Sequence, residues 1–247
     1  MSDMITTDEA TLRRDLAASY RLAAMMGWED TLYTHFSVRL PGDGAPRFLI
    51  NPFGLMFDEI RASDLIVVDM HGRVLEGSAD YNLAGFTIHS AVHMARDDAH
   101  CVMHTHTLAG MAMAACDNGL LPLNQISAEF HQRLGYHDYE GVAFNLDERA
   151  RIQQSLGDNM ALVLHHHGLL SVGETVADAF QIMYYLNKAC EIQLAAAQMA
   201  SLTPVSTIPE TLASYVCEQF KKVEHERHLV WQAWLRKLDR IDPSYRE

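Results

Sequence analysis

Two short stretches carry histidines in a pattern that could do chemistry. In "CVMHTHTLAG", Cys101 to Gly110, His104 and His106 stand one residue apart behind an apolar run. In "ALVLHHHGLLSVG", residues 161–173, His165, His166 and His167 follow a second apolar run and precede Gly168. Residues i and i+2 of a strand point to one face. An H-x-H pair therefore aims two imidazoles at one point while Thr105 faces away, and His165 and His167 share a face at the end of the second strand. Two ligands from one strand end and a third from a neighbour would leave an open position, as catalytic divalent-metal sites do. Three neutral imidazoles suit zinc, with manganese, iron, cobalt and nickel as alternatives. Isolated histidines such as His71, His93 and His225 read instead as ordinary core or surface residues.

The elements that must position these residues alternate between helix and strand. "TTDEATLRRDLAASYRLAAMMGW" reads as a helix capped by Thr7 or Asp8 and stopped at Gly27. "YTHFSVRL" and "RFLINPFG" read as strands, and "LIVVDMHGRVLEG" as a hairpin turning at His71-Gly72. A helix over 83–95 precedes the strand "AHCVMH", and the helix "LAGMAMAAC" follows it. Residues 121–144 are mixed and short-ranged. Further on come a helix in "LDERARIQQSLG", the strand "MALVLHHHG", a long helix from Glu174 and a single tail helix from Glu210 carrying Trp231 and Trp234. The alternation predicts one α/β domain spanning 1–247, with a helical tail from about 205.

Composition narrows the partners. Hydrophobic residues make up 49% and charged residues 21% of 247 positions, so the chain should bury a sizeable core. A formal charge of −13 argues against a nucleic-acid backbone or an anionic membrane as the main partner and says little else. Cys101, Cys116, Cys190 and Cys217 form no C-x-x-C pair, and the first residues lack an apolar leader core. These features predict a cytoplasmic location. No glycine loop of the Rossmann or Walker kind is present.

Longer segments carry a resemblance. "LINPFGLMFDEIRASDLIVVDMHGRVLEG", "AGFTIHSAVHMARDDAHCVMHTHTLAGMAMAA", "LPLNQISAEFHQRLGYHDYEG" and "LVLHHHGLLSVGETVADAFQIMYYLNKACEIQL" together resemble the class II aldolase/adducin family, from about Leu12 to Met199. The resemblance implies a three-layer α/β/α sandwich with a mostly antiparallel central sheet. It also implies a homotetramer with active sites at subunit interfaces, and a metal held by His104, His106 and His167.

Departures from the family pattern are equally informative. The sugar-phosphate aldolases of the family keep a catalytic glutamate where this chain has Gly85. Their phosphate pocket uses an asparagine where this chain has His35, a Thr-Gly pair where it has Phe53-Gly54 after Asn51, and paired serines where it has Leu83-Ala84. In these features the chain resembles adducin head domains and their bacterial relatives more closely. Glu129 becomes the candidate acid–base residue, because some family dehydratases place a glutamate in that segment. His35, Asn51 and Gly54 are the candidate substrate-binding positions. Tyr245 could reach a neighbouring site, as a tail tyrosine does in family aldolases, and the "GYHDYEG" residues Tyr136, His137 and Tyr139 read as structural. The expected activity is that of a divalent-metal-dependent lyase. It would cleave a carbon–carbon bond, by an aldol-type or decarboxylating route, in a small unphosphorylated hydroxy- or oxo-acid or carbohydrate-derived substrate. The alternative is an adducin-like binding or scaffold protein whose metal is structural or vestigial.

Overall fold

Asp8 caps the first helix, α1 (Glu9–Met25), its carboxylate accepting from the Thr11 backbone N–H, and Gly27 takes φ +70° just beyond the helix. The other candidate cap, Thr7, lies outside the residues that the computed structural model describes, which are 8–42, 44–77 and 79–247. Strands β1 (His35–Arg39) and β2 (Arg47–Ile50) follow. The hairpin of β3 (Ile66–Asp69) and β4 (Val74–Glu76) turns at His71-Gly72 as expected, with Gly72 at φ +86°. Next come α2 (Leu83–Ala95), β5 (Cys101–Thr105) and α3 (Leu108–Ala114). The middle segment supplies a short helix, α4 (Gln125–Ala128), and a strand, β6 (Leu134–His137). Helix α5 (Arg149–Leu156), β7 (Ala161–Leu164), β8 (Gly168–Gly173) and α6 (Val176–Met199) complete the α/β body.

The eight strands form one sheet in the order β4-β3-β2-β1-β5-β8-β7-β6, antiparallel throughout except for the β6–β7 pair. Helices cover both faces, and the strand residues alternate to serve them. Cys101 and Met103 of β5 join the core beneath α1 and α6, while Val102 joins the core beneath α2 and α5. Ala161 and Val163 of β7 face the first layer, and Leu162 and Leu164 the second. This is the expected α/β/α sandwich with a mostly antiparallel sheet.

Two expectations need correction. The histidine triplet does not extend a strand. Strand β7 stops at Leu164, residues 165–167 form a tight turn with His166 at φ +54°, and the chain doubles back as β8. "GLLSVG" forms β8 directly after the turn, with no Pro, Asn or Asp at 165–167 to mark the break from β7. The tail is also two helices, α7 (Glu210–Lys221) and α8 (Arg227–Ile241), broken by a 3-10 turn over Glu224–Glu226. Tyr245 does not leave the molecule. It is buried, packs in the same core as α1, and donates its hydroxyl to Asp239 at 2.8 Å.

One buried hydroxyl ties the early elements together. Tyr20 on α1 approaches the Phe36 carbonyl at 2.5 Å and Asn51 Oδ1 at 2.8 Å, and accepts the Phe36 N–H at 2.7 Å. It thereby joins α1 to β1 and to the end of β2. Burial pushes its phenol well above the usual range, so it stays protonated. Tyr20→Phe should strand these buried polar partners and lower stability by about 1–3 kcal/mol. Urea unfolding of the two proteins measures the difference.

Candidate metal centre

Strand β5 delivers His104 from within the strand and His106 from just beyond its end. Strand β8 lies antiparallel beside it, pairing Thr105 with Leu169 and His104 with Leu170, so the turn before β8 carries His167 to the same spot. Gly168 permits the approach. A Cβ there would lie 2.4 Å from the Thr105 carbonyl and 3.0 Å from the His106 ring. One ring nitrogen from each of His104, His106 and His167 falls within 4.8 Å of the other two. His165 and His166 take no part in this group. His165 Nδ1 turns to the Ala114 carbonyl at 3.2 Å and its ring stacks on Tyr136.

Hydrogen bonds fix which nitrogens converge. His104 Nδ1 donates to the Leu169 carbonyl at 2.9 Å, and His106 Nδ1 donates to Asp30 Oδ2 at 2.8 Å. A carbonyl and a carboxylate oxygen both accept, so each Nδ1 carries a proton and each Nε2 is the nitrogen left to face the other ring. Those two nitrogens lie 2.8 Å apart. Lone pairs at that distance repel unless a shared proton or a metal cation lies between them. Burial, and then the neighbouring His167 and His106, hold His104 well below the usual imidazole range, so this ring stays a neutral donor. Burial likewise lowers His167 to about 4. A set of three imidazoles, with the far nitrogens of His104 and His106 held by a carbonyl and a carboxylate, is the kind of donor set that a borderline divalent ion takes.

A cavity of about 1000 Å³ opens over the group. His35, His106, His166 and His167 line it with Asp30, Tyr33, Phe53, Tyr81, Met111, Tyr139 and Phe144, and no lysine or arginine contributes. His35, a candidate substrate-binding residue, pairs with His104 across β1 and β5 and stacks on it at 5.0 Å between ring centroids. Asn51 is turned inward to Tyr20, and Gly54 contributes nothing to the lining, although its neighbour Phe53 does. Asn51 and Gly54 are therefore not brought to the cavity.

Glu129 is not brought there either. It is buried at the end of α4, where Arg227 of α8 meets its carboxylate at 3.2 Å. Desolvation raises its pKa, with Arg227 opposing. The residue pins the C-terminal helices to the body, an arrangement invisible until α8 is seen to dock there. Two residues of the site escaped sequence reading. Asp30 sits in an irregular segment with no pattern around it. Tyr139 lines the cavity, although "GYHDYEG" reads as structural.

Gly85 gains a specific meaning. A Cβ at this position would lie 2.5 Å from His35 Cδ2 and 2.8 Å from His35 Nε2. The His35 ring occupies the space that a side chain at 85 would need, so positions 35 and 85 are sterically coupled.

Residues 14–194 match the family described as Class II Aldolase and Adducin N-terminal domain. The chain belongs to the class II aldolase and adducin family. Among solved structures it is similar to an aldolase II superfamily protein from Pseudomonas syringae, with 42% identity, a TM-score of 0.90, and 99% and 98% of the two chains covered. It is similar to an L-fuculose 1-phosphate aldolase from Glaciozyma antarctica PI12, with 29% identity, a TM-score of 0.83, and 97% and 93% covered. Rat alpha-adducin is 43% identical over 199 residues, which are 78% of this chain and 27% of that protein. The relatives thus include both aldolases and adducins.

Two predictions follow from the packing and the charges. Gly85→Glu should destabilise the fold strongly through the clash with His35, and the double variant His35→Asn with Gly85→Glu should recover most of the loss. A double-mutant cycle of thermal unfolding reads the coupling. The buried histidines should also make the metal-free protein acid-sensitive. Burial holds His35 and His93 at about 3, against 6.5 for a free imidazole, so the unfolded chain binds more protons in between. Their contribution is intact above about pH 6.5 and falls as pH drops toward the folded values. The loss is about 1.4 kcal/mol per pH unit for each histidine kept neutral. Urea unfolding of chelator-treated protein at pH 7.5, 6 and 5 measures it.

Proposed function

We propose that this protein is a divalent-metal-dependent lyase, with His104, His106 and His167 as the metal ligands and zinc as the metal. The observation that carries the reading is the convergence of lone pairs at 2.8 Å between His104 and His106, with both far nitrogens already committed. A bound ion would supply Lewis acidity toward a carbonyl or carboxylate oxygen. The chain's own residues do the rest. Asp30 and the Leu169 carbonyl hold two ligand rings in place, the aromatic walls limit water, and His35 stands beside the group.

The substrate class follows from the lining. Among the described residues of this chain the cavity lining offers a phosphate dianion no lysine or arginine. This supports a small, unphosphorylated hydroxy- or oxo-acid. Gly85 cannot take up a proton, which favours carbon–carbon cleavage that needs no base to remove a hydroxyl proton, as in decarboxylation, with water protonating the enolate that CO2 leaves behind. Glu129, held by Arg227, enters this reading as a structural pin. Leu83, Val142 and Phe144 are exposed around the cavity, which supports closure of the site by a second subunit in a homotetramer. A cytoplasmic location fits the free cysteines, and among the described residues no helix is long and apolar enough to cross a membrane.

A second reading is favoured by Gly85 together with the likeness to rat alpha-adducin, namely a binding protein that keeps the metal for structure. Metal analysis and a turnover screen separate the two. Untagged protein should carry about one metal ion per chain, and His104→Ala should lose it. A panel of hydroxy- and oxo-acids should show turnover that His167→Ala abolishes. Metal without turnover across the panel would favour the binding protein, and metal-free wild type would refute the site.

A further inference from the structure

Helix α2 presents Gly85, His89 and His93 to the sheet at intervals of four residues, and β1 answers with His35 and Ser37. The four polar side chains form an unbroken hydrogen-bonded row. His35 Nδ1 meets His89 Nε2 at 2.8 Å, His89 Nδ1 meets Ser37 Oγ, Ser37 Oγ meets His93 Nε2 at 2.8 Å, and His93 Nδ1 meets the Ala99 carbonyl at 3.0 Å. All four residues are at most 3% exposed.

The row has a direction, set at its inner end. The Ala99 carbonyl can only accept, so His93 Nδ1 carries the proton and its Nε2 is an acceptor. Ser37 must donate its single hydroxyl proton there, which leaves Ser37 Oγ to accept from His89 Nδ1. His89 Nε2 then accepts from His35 Nδ1. The outer end is His35 Nε2, which has no hydrogen-bond partner among the described residues and belongs to a residue lining the cavity. Gly85 leaves the room that this ring occupies.

We infer that the Ala99–His93–Ser37–His89 row locks His35 in its Nδ1–H tautomer, so that Nε2 accepts a hydrogen bond from a substrate hydroxyl beside the three-histidine group. His35 is then a substrate-binding residue selecting a donor, and Ser37, His89 and His93 are positioning residues. A lone pair at this place repels a phosphate or carboxylate oxygen and welcomes an alcohol. The inference rests on the proposed substrate cavity but makes its own claim about proton positions. It also changes the reading of His93, which by sequence is an isolated core histidine.

Neutron diffraction from perdeuterated crystals of the full chain, with and without soaked glycolate, tests it. Deuterons are expected on Nδ1 of His35, His89 and His93, with none on His35 Nε2, and the glycolate hydroxyl should donate to that nitrogen. A deuteron on His35 Nε2 in the unsoaked crystal overturns the inference, whether or not glycolate binds. Ser37→Ala cuts the row at its centre and should spread the His35 deuteron over both ring nitrogens while metal content per chain stays at the wild-type level. An unchanged single tautomer in that variant would show that the row does not set it. Absence of metal from the wild type would strike the functional reading alone, because the deuterons remain visible.

Discussion

Two imidazole nitrogens that face each other with lone pairs, while the opposite nitrogens of both rings already donate protons, create a demand for positive charge. His104 and His106 are held in that relation by the Leu169 carbonyl and Asp30. Much of the fold serves to impose it. Strand β5 is central in the sheet, β8 pairs with it in a register that delivers His167, and Gly168 removes the one Cβ that would hold the strands apart. The energetic cost of gathering neutral imidazoles in a buried place is offset only when every one has a partner.

The layer between the sheet and α2 shows the same logic carried inward. Where an apolar core would be expected, this chain stacks His35 on His104 and runs hydrogen bonds from His35 to the Ala99 carbonyl. Within the class II aldolase and adducin family, Gly85 looks at first like a loss, the removal of an acid. Its neighbourhood shows a packing constraint as well. The imidazole from β1 fills the volume beside Gly85, and a side chain at 85 requires moving the ring at 35.

How much of this was legible in the sequence depends on the range of the interaction. The H-x-H pair was readable because strand periodicity is local, and the sandwich was readable because apolar runs alternate with helical ones. His167 was singled out from its two neighbours by family resemblance; the strand geometry that gave it and His165 one face was wrong, because the chain turns there rather than extending. Asp30, His89 and the meaning of Gly85 depend on contacts between segments far apart in the chain. In hindsight, the spacing of Gly85, His89 and His93 at four-residue intervals was the available signal, since it puts two imidazoles on one face of a helix. Glu129 misled for the complementary reason, because its partner Arg227 comes 98 residues later.

The central claim is that these three histidines exist to hold a divalent cation, and anomalous diffraction tests it most directly. Crystals of the zinc-loaded chain, measured on either side of the zinc absorption edge, should show one strong anomalous peak per chain within about 2.1 Å of a nitrogen of each of His104, His106 and His167. Absence of a peak there, or a peak bound by other residues, would contradict the account.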